Sequence, residues 1–465
     1  MNSVPTPSAP SSHGCVSFVS SDALREGFSL AMSAMYRDEV PLYGDLLRIV
    51  EEVNARVLAA GGEASAMPQD ERARLGVERH GAIRVGTARE LGLLRRMFAV
   101  MGMQPVGYYD LSIAGVPVHS TAFRPVDADA LARNPFRIFT SLLRLELIED
   151  PELRELAARR LEAREIFTPE ALRLTEVFEA RGGLDEEQAA AFVRELLHTF
   201  RWHAEATVAQ PTYQRMHEAH RLVADVVCFR GPHINHLTPR TLDIDAVQEL
   251  MPRRGIVAKD VIEGPPRRRV PILLRQTSFK ALAETVRFGE GGAQTGSHTA
   301  RFGEVEQRGI ALTPKGRTLY DRLLLEASAP RAGGDSRDYP ARLQQAFRAF
   351  PDDLDALRSE GLGYFEYSLA PGAHRRAPTA GSLEQLLRDG LVRASPLVYE
   401  DFLPVSAAGI FQSNLGDAER RSYAAEDARA RFERALGCAV RDEFALYEAR
   451  QQASIARVRE ELGLD

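Results

Sequence analysis

Apolar positions at helical spacing open the chain. Leu24, Phe28, Met32 and Met35 fall on one face of the segment from Ser21 to Ala60, which predicts helix there. At Arg79 the period changes to two. His80, Ala82 and Arg84 alternate with Gly81, Ile83 and Val85, so Arg79 to Thr87 predicts a short strand with two different faces. Thr87 is placed to cap a following helix with apolar positions Leu91, Leu94, Phe98 and Met101, and Gly102 supplies its stop. Strands are expected next at Val106 to Ser112, Val116 to Phe123 and Phe136 to Ile148. The order is strand, helix, strand, strand, strand.

A helical stretch runs from Pro151 to about Val227, with Thr168-Pro169 marking one helix start and Gly182-Gly183 separating two helices. The first pattern then returns. His233 to Thr238 predicts a strand, and Asp243 opens a helix through Ala246, Leu250 and Met251 that Gly255 ends. Ile256 to Ile262, Val270 to Gln276 and Thr299 to Arg308 read as strands. The repeat is topological, without visible identity between the halves. Paired βαβββ modules are the plan of the vicinal-oxygen-chelate fold, in which two modules curl into one cup.

The expected class is therefore α+β: a vicinal-oxygen-chelate-like core of two βαβββ modules (79–148 and 228–327), a helical insert (151–227) and a C-terminal section (328–465). These form a single domain from residue 21, behind a Ser- and Pro-rich tail (1–20) expected to be disordered. The C-terminal section contains a Gly/Pro loop from Pro330 to Asp335, two short helices, a strand at Tyr364 to Leu369, an unusual loop from Tyr399 to Phe411, and closing helices to Leu462.

Composition narrows the function classes. The 44% hydrophobic and 27% charged content is that of an ordinary globular protein. A formal net charge of -6 argues against nucleic-acid and membrane-surface partners. Lys259, Lys280 and Lys315 are the only lysines, and the many Arg residues are scattered over helices rather than gathered in a patch. Cys15, Cys228 and Cys438 lie far apart, so neither a disulfide framework nor a thiolate metal site is expected, and a reducing cytoplasm fits best. Met1 to His13 lacks the basic and apolar regions of a signal peptide, and no apolar run is long enough to span a bilayer.

The candidate chemistry lies on the predicted strands. His80 and His236 sit on the first strand of each module, and Glu304 and Glu306 share one face of the last. Two imidazoles and one carboxylate on one side of an ion leave adjacent positions open, the facial triad of non-haem Fe(II) oxygenases. Taken singly, each residue has an ordinary explanation as a hydrogen-bonded histidine or a solvated carboxylate. The neighbours Phe302, Val305 and Ile310 argue that the last strand is buried, where two carboxylates without a cation would be costly. His233 and His236 are expected to face opposite ways, and His236 is the better candidate. Arg84 shares the face of His80 and either grips a second substrate carboxylate or makes a plain ion pair. His298 and Glu366 are reserve ligands. Cys228, among apolar residues, reads as a buried small hydrophobe.

The stretch Arg79-His80-Gly81-Ala82-Ile83-Arg84-Val85-Gly86-Thr87 resembles the bacterial 2-oxoadipate dioxygenase/decarboxylase family. So do Asn235-His236-Leu237-Thr238, the run from Arg301 to Gly309, and the loop Tyr399-Glu400-Asp401-Phe402-Leu403-Pro404-Val405-Ser406 onward, over about Ser21 to Leu462. The resemblance implies an Fe(II) enzyme of D-lysine catabolism that turns 2-oxoadipate and O₂ into 2-hydroxyglutarate and CO₂. It implies His80, His236 and Glu304 as metal ligands, with Glu306 the alternative carboxylate, and Arg84, Val405 and Ser406 as substrate-binding residues. Two other readings stay open: a Zn²⁺ or Mn²⁺ lyase, isomerase or hydrolase on the same scaffold, and a dicarboxylate-binding protein without turnover. The sequence leaves the oligomeric state undetermined.

Overall fold

The computed structural model describes residues 17–61, 69–289, 294–328, 339–372, 381–403 and 418–464. Two helices, α1 (Ser21–Glu39) and α2 (Pro41–Ala59), come first. Ser20 caps α1 by accepting from the Ala23 N–H, and Pro41 starts α2 where its missing N–H costs nothing. After α3 (Gln69–Val77) comes β1 (Arg79–Val85), then α4 (Ala88–Val100). Thr87 and Glu90 form a reciprocal capping box at the start of α4.

β2 (Gln104–Asp110), β3 (Val118–Arg124), the short α5 (Ala128–Arg133) and β4 (Arg137–Leu143) complete the first βαβββ unit. These strands form one sheet in the order β2-β3-β4-β1-β5. β1 runs parallel to β4, and its other neighbour, β5 (His236–Pro239), is antiparallel and comes from the second half of the chain. Alternation then separates the two faces of β1. Ile83 and Val85 join the main core with Phe98, Phe123 and Ile138, and His80, Ala82 and Arg84 project from the opposite face.

The insert is helical as expected: α6 (Pro151–Glu162), α7 (Pro169–Arg181), α8 (Glu186–Leu197), α9 (Gln210–Ala219) and α10 (Arg221–Val227). Thr168 caps α7 just before its first-turn proline. In the second half Asp243 caps α11 (Ile244–Arg253), and β6 (Leu274–Ser278), the hairpin β7 (Ala283–Phe288) and β8 (Gln294–Thr299), and β9 (Glu304–Arg308) follow.

Here the elements depart from the expected positions. Ile256 to Ile262 makes only single bridges, Ala258 to Phe279 and, just beyond, Glu263 to Gln276. Its alternation reflects one-sided burial, with Ile256 covered and Val257 and Val261 exposed. The hairpin β7–β8 takes the place of the missing strand, in a Gly-rich stretch that the period alone did not mark. β6 starts late because Leu273 adopts a left-handed φ of 53°. The strands of this half pair as β6–β9 and β7–β8 rather than as one sheet. The class is α+β.

β9 is joined to β5 by backbone bonds, Phe302 N–H to Asn235 O at 3.1 Å and Thr241 N–H to Glu306 O at 2.7 Å. That junction brings β9 alongside β5 and puts its side chains within reach of β1. The C-terminal section adds α12 (Pro314–Ser328), α13 (Tyr339–Ala346), α14 (Leu354–Ser359), β10 (Phe365–Leu369), α15 (Leu383–Arg388), β11 (Val392–Pro396) and two closing helices, Ala418–Leu436 and Glu443–Glu461. The expected loop at Pro330 to Asp335 and most of the expected tail lie outside the described residues. Among the described residues no helix is long and apolar enough to cross a membrane.

Candidate metal centre

The register of β1 against β5 sets Ala82 opposite His236, so His80 and His236 emerge on one face with ring centroids 5.4 Å apart and planes at 89°. Gly81 permits this closeness, because a Cβ there would lie 2.6 Å from the Ile234 side chain and 3.1 Å from the His236 carbonyl. Glu304, the first residue of β9, reaches between the rings. Its Oε2 lies 3.2 Å from His80 Nε2 and 3.7 Å from His236 Nε2. Thr238 Oγ1 and Gln276 Nε2 donate to the same oxygen at 3.2 and 2.7 Å.

Burial pulls the His236 imidazole down to about 4, although the Glu304 charge works the other way, so the ring is neutral at ordinary pH. Burial also opposes charge on Glu304, but His236, the hydrogen bond from His80 and the Lys259 charge outweigh it and hold the carboxyl below its usual range. His80 is likewise disfavoured as a cation by burial, and Glu306 and Glu304 outweigh that and raise it.

The donor set suits a divalent transition metal. Imidazole and carboxylate ligands together favour such ions, and one donor atom from each of His80, His236 and Glu304 lies within 4.8 Å of the others. Among the described residues no other group of His, Cys, Asp and Glu meets that test.

The sequence pattern of 2-oxoadipate dioxygenase/decarboxylase matches residues 28–414. The chain is 59% identical over 444 residues to the 2-oxoadipate dioxygenase/decarboxylase of Escherichia coli (strain K12), covering 94% of this chain and 98% of that one. It is 57% identical over 459 residues to the enzyme of that name from Pseudomonas putida, covering 96% and 98%. The chain belongs to the 2-oxoadipate dioxygenase/decarboxylase family. Its fold matches the crystal structure of hydroxyglutarate synthase from Pseudomonas putida in complex with 2-oxoadipate, with a TM-score of 0.89, 56% identity, and 96% and 99% of the two chains covered.

Within this 2-oxoadipate dioxygenase/decarboxylase framework the remaining predicted residues separate clearly. Glu306 shares the face of Glu304 but lies behind His80. One of its oxygens is 2.8 Å from His80 Nδ1, and both accept from Arg308 at 2.8 Å. Arg308 also donates to the carbonyls of Tyr399 and Asp401 and lies over the Phe402 ring, whose edge meets His80. Arg84 donates from one guanidinium nitrogen to Asp225 Oδ2 at 2.8 Å, with its side chain 26% exposed. His233 and His298 face Asp225 rather than the His80 cluster, and Glu366 pairs with Arg450. Cys228 is fully buried, its thiol pushed up to about 12 by burial. Val405 and Ser406 lie outside the described residues.

Sequence reasoning missed Thr238, Gln276, Arg308 and Asp225. Thr238 and Arg308 each stand two residues beyond a candidate on the same strand face, and that spacing was the available signal. It also missed a buried lattice of opposite charges behind the site. Glu400 pairs with Arg74 at 3.0 Å and with Arg137, and Asp401 pairs with Arg124 at 2.7 Å. This lattice fixes the start of the Tyr399 loop against the sheet.

Proposed function

We propose that this protein is an Fe(II) enzyme that converts 2-oxoadipate and O₂ into 2-hydroxyglutarate and CO₂, with His80, His236 and Glu304 as the metal ligands. The observation that carries the reading is the convergence of these three side chains from β1, β5 and β9, in a chain of this family. The reaction balances: a six-carbon 2-oxo diacid and O₂ become a five-carbon hydroxy diacid and CO₂. Bound at the three ligands, Fe(II) would supply the activation of O₂ and a chelation point for the 2-oxo acid.

The chain's own groups prepare that site. Glu306 sets a carboxylate 2.8 Å from His80 Nδ1, on the side of the ring away from the cluster, and so orients the imidazole with Nε2 facing Glu304. Thr238 and Gln276 hold the Glu304 carboxylate in place, and burial keeps His236 neutral with its lone pair available. The rings of Phe302 against His236 and Phe402 against His80 exclude water from one side. Arg84 takes the distal carboxylate of the substrate with the donors that Asp225 does not use, and the Val405-Ser406 segment helps position the same molecule. Such orientation is worth several kcal/mol, up to ~10 in well-fixed cases.

The buried free thiol at Cys228 supports a reducing cytoplasmic location, and the substrate class supports a place in D-lysine breakdown. Metal exchange tests the choice of iron. Fe(II)-loaded protein is expected to consume O₂ with 2-oxoadipate, and Zn²⁺- or Mn²⁺-loaded protein is expected not to. Turnover by the zinc form without O₂ uptake would overturn the reading in favour of Lewis-acid chemistry.

A further inference from the structure

Two histidines singled out in the sequence, His233 and His298, lie outside the metal cluster and surround one buried carboxylate. Asp225, on α10, is 7% exposed. Its Oδ1 lies 3.0 Å from His298 Nε2 and 3.5 Å from His233 Nε2, and its Oδ2 accepts from Arg84 at 2.8 Å. His298 Nδ1 in turn lies 2.8 Å from the hydroxyl of Tyr213 on α9. The Asp225 carboxylate only accepts, so His298 donates to it from Nε2–H, and in that tautomer Nδ1 accepts from the Tyr213 hydroxyl. Trp202 stacks on His298 at 6.0 Å with an interplanar angle of 10° and meets His233 edge-on at 4.8 Å.

A buried carboxylate with this many partners is a fixed anchor rather than an adaptable one. Guanidinium has five N–H donors, and Asp225 accepts from one nitrogen of Arg84. Arg84 projects from the same face of β1 as His80, four residues further along the strand. The anchor comes from the helical insert, and the group it holds stands beside the metal ligands.

We propose that Asp225, braced by His298 and Tyr213, is the positioning residue that sets Arg84 at the distance of a distal substrate carboxylate, so that the helical insert selects 2-oxo diacids over monoacids. The proposal rests on the reading of Arg84 as the distal-carboxylate grip, and the test separates the two.

Wild type, Arg84→Met, Asp225→Asn, Tyr213→Phe and the Arg84→Met/Asp225→Asn double variant are compared on 2-oxoadipate and on 2-oxohexanoate, which has the same chain without the second carboxylate. The ratio of kcat/KM values is expected to fall about tenfold or more in Asp225→Asn, mainly through KM, and about threefold in Tyr213→Phe. The double variant is expected to be no less selective than Arg84→Met, because the two act as one unit. A second readout needs no turnover. Trp202 is the only tryptophan, so its fluorescence reports binding of 2-oxoadipate to metal-free protein, and Asp225→Asn is expected to weaken that binding several-fold more than binding of 2-oxohexanoate.

If Asp225→Asn fails to fold, Tyr213→Phe, which leaves the carboxylate in place, carries the test. A ratio unchanged in Asp225→Asn and Tyr213→Phe but collapsed in Arg84→Met overturns the proposal and leaves the Arg84 reading standing. Equal losses on both substrates also overturn it, because they mark a purely structural role. A ratio that Arg84→Met leaves unchanged overturns both.

Discussion

Replacing Glu306 by Gln keeps the shape of the side chain and removes its charge, at a position with no exposed surface. The carboxylate accepts twice from Arg308 and faces His80 Nδ1, and Arg137 adds to the field. Burial pushes its carboxyl up, but Arg308, His80 and Arg137 outweigh burial and bring it to about 2, against 4.5 for a free side chain. That gap corresponds to about 3 kcal/mol of folding free energy at pH 7. A folded pKa below the unfolded one stabilises the protein above the unfolded value, and the contribution is lost as pH falls through the folded value. It therefore shrinks to about 2 kcal/mol near pH 3.5. Urea denaturation of metal-free wild type and Glu306→Gln at pH 7 and pH 3.5 measures both figures. Loss of the partner that orients His80 is expected to weaken metal binding about 10- to 100-fold as well. A penalty below about 0.5 kcal/mol at pH 7 would refute the reasoning, since surface charges give that much. A penalty that grew on acidification would refute its sign.

Three further outcomes are expected. Glu443, half-buried beside Asp401, has its carboxyl raised to about 7 by burial and by that neighbour, so its neutral form belongs to the fold and its stabilising contribution is lost as pH rises from 4.5 through 7. Thermal melts should show Glu443→Gln level with wild type at pH 4 and more stable by about 2 kcal/mol at pH 8, the ~3 kcal/mol of the full gap being reduced by solvent screening of this half-buried group. Gln276→Leu removes the 2.7 Å hydrogen bond to Glu304. It should weaken metal binding about tenfold in a competition titration with little change in Tm. Gly309→Ala would set a Cβ 2.1 Å from the backbone carbon of Pro271. Backbone cannot give way as a side chain can, so a loss of about 3 kcal/mol or more is expected in urea melts.

The parts of this molecule that were legible in sequence are those fixed by local period. His80 and Arg84 were placed on one face by alternation in β1, and Thr87, Thr168 and Asp243 were recognisable as caps because their chemistry acts within one helical turn. Glu304 and Glu306 illustrate the limit. Period two puts them on one face, but only the docking of β9 against β5 decides which stands between the histidines and which stands behind His80. The separation of His233 from His236 has a different cause from the expected one. β5 begins at His236, and His233 precedes the strand and turns toward α10. Asp225 left no sequence signal, because it meets Arg84 across 141 positions through the docking of an inserted helix. The hairpin β7–β8 was hidden by its glycines, and the exposed valines at 257 and 261 imitated a strand that has no partner along its length.

In the proposed reaction His80, His236 and Glu304 hold a metal that couples O₂ to decarboxylation of 2-oxoadipate. The most direct measurement is the stoichiometry of a single reaction: protein loaded anaerobically with Fe(II), given 2-oxoadipate and a limiting amount of O₂, with O₂ uptake, CO₂ and 2-hydroxyglutarate measured together. Equal amounts of all three are expected, abolished in His80→Ala and His236→Ala. No O₂ uptake by iron-loaded protein, or uptake that survives both substitutions, would contradict it.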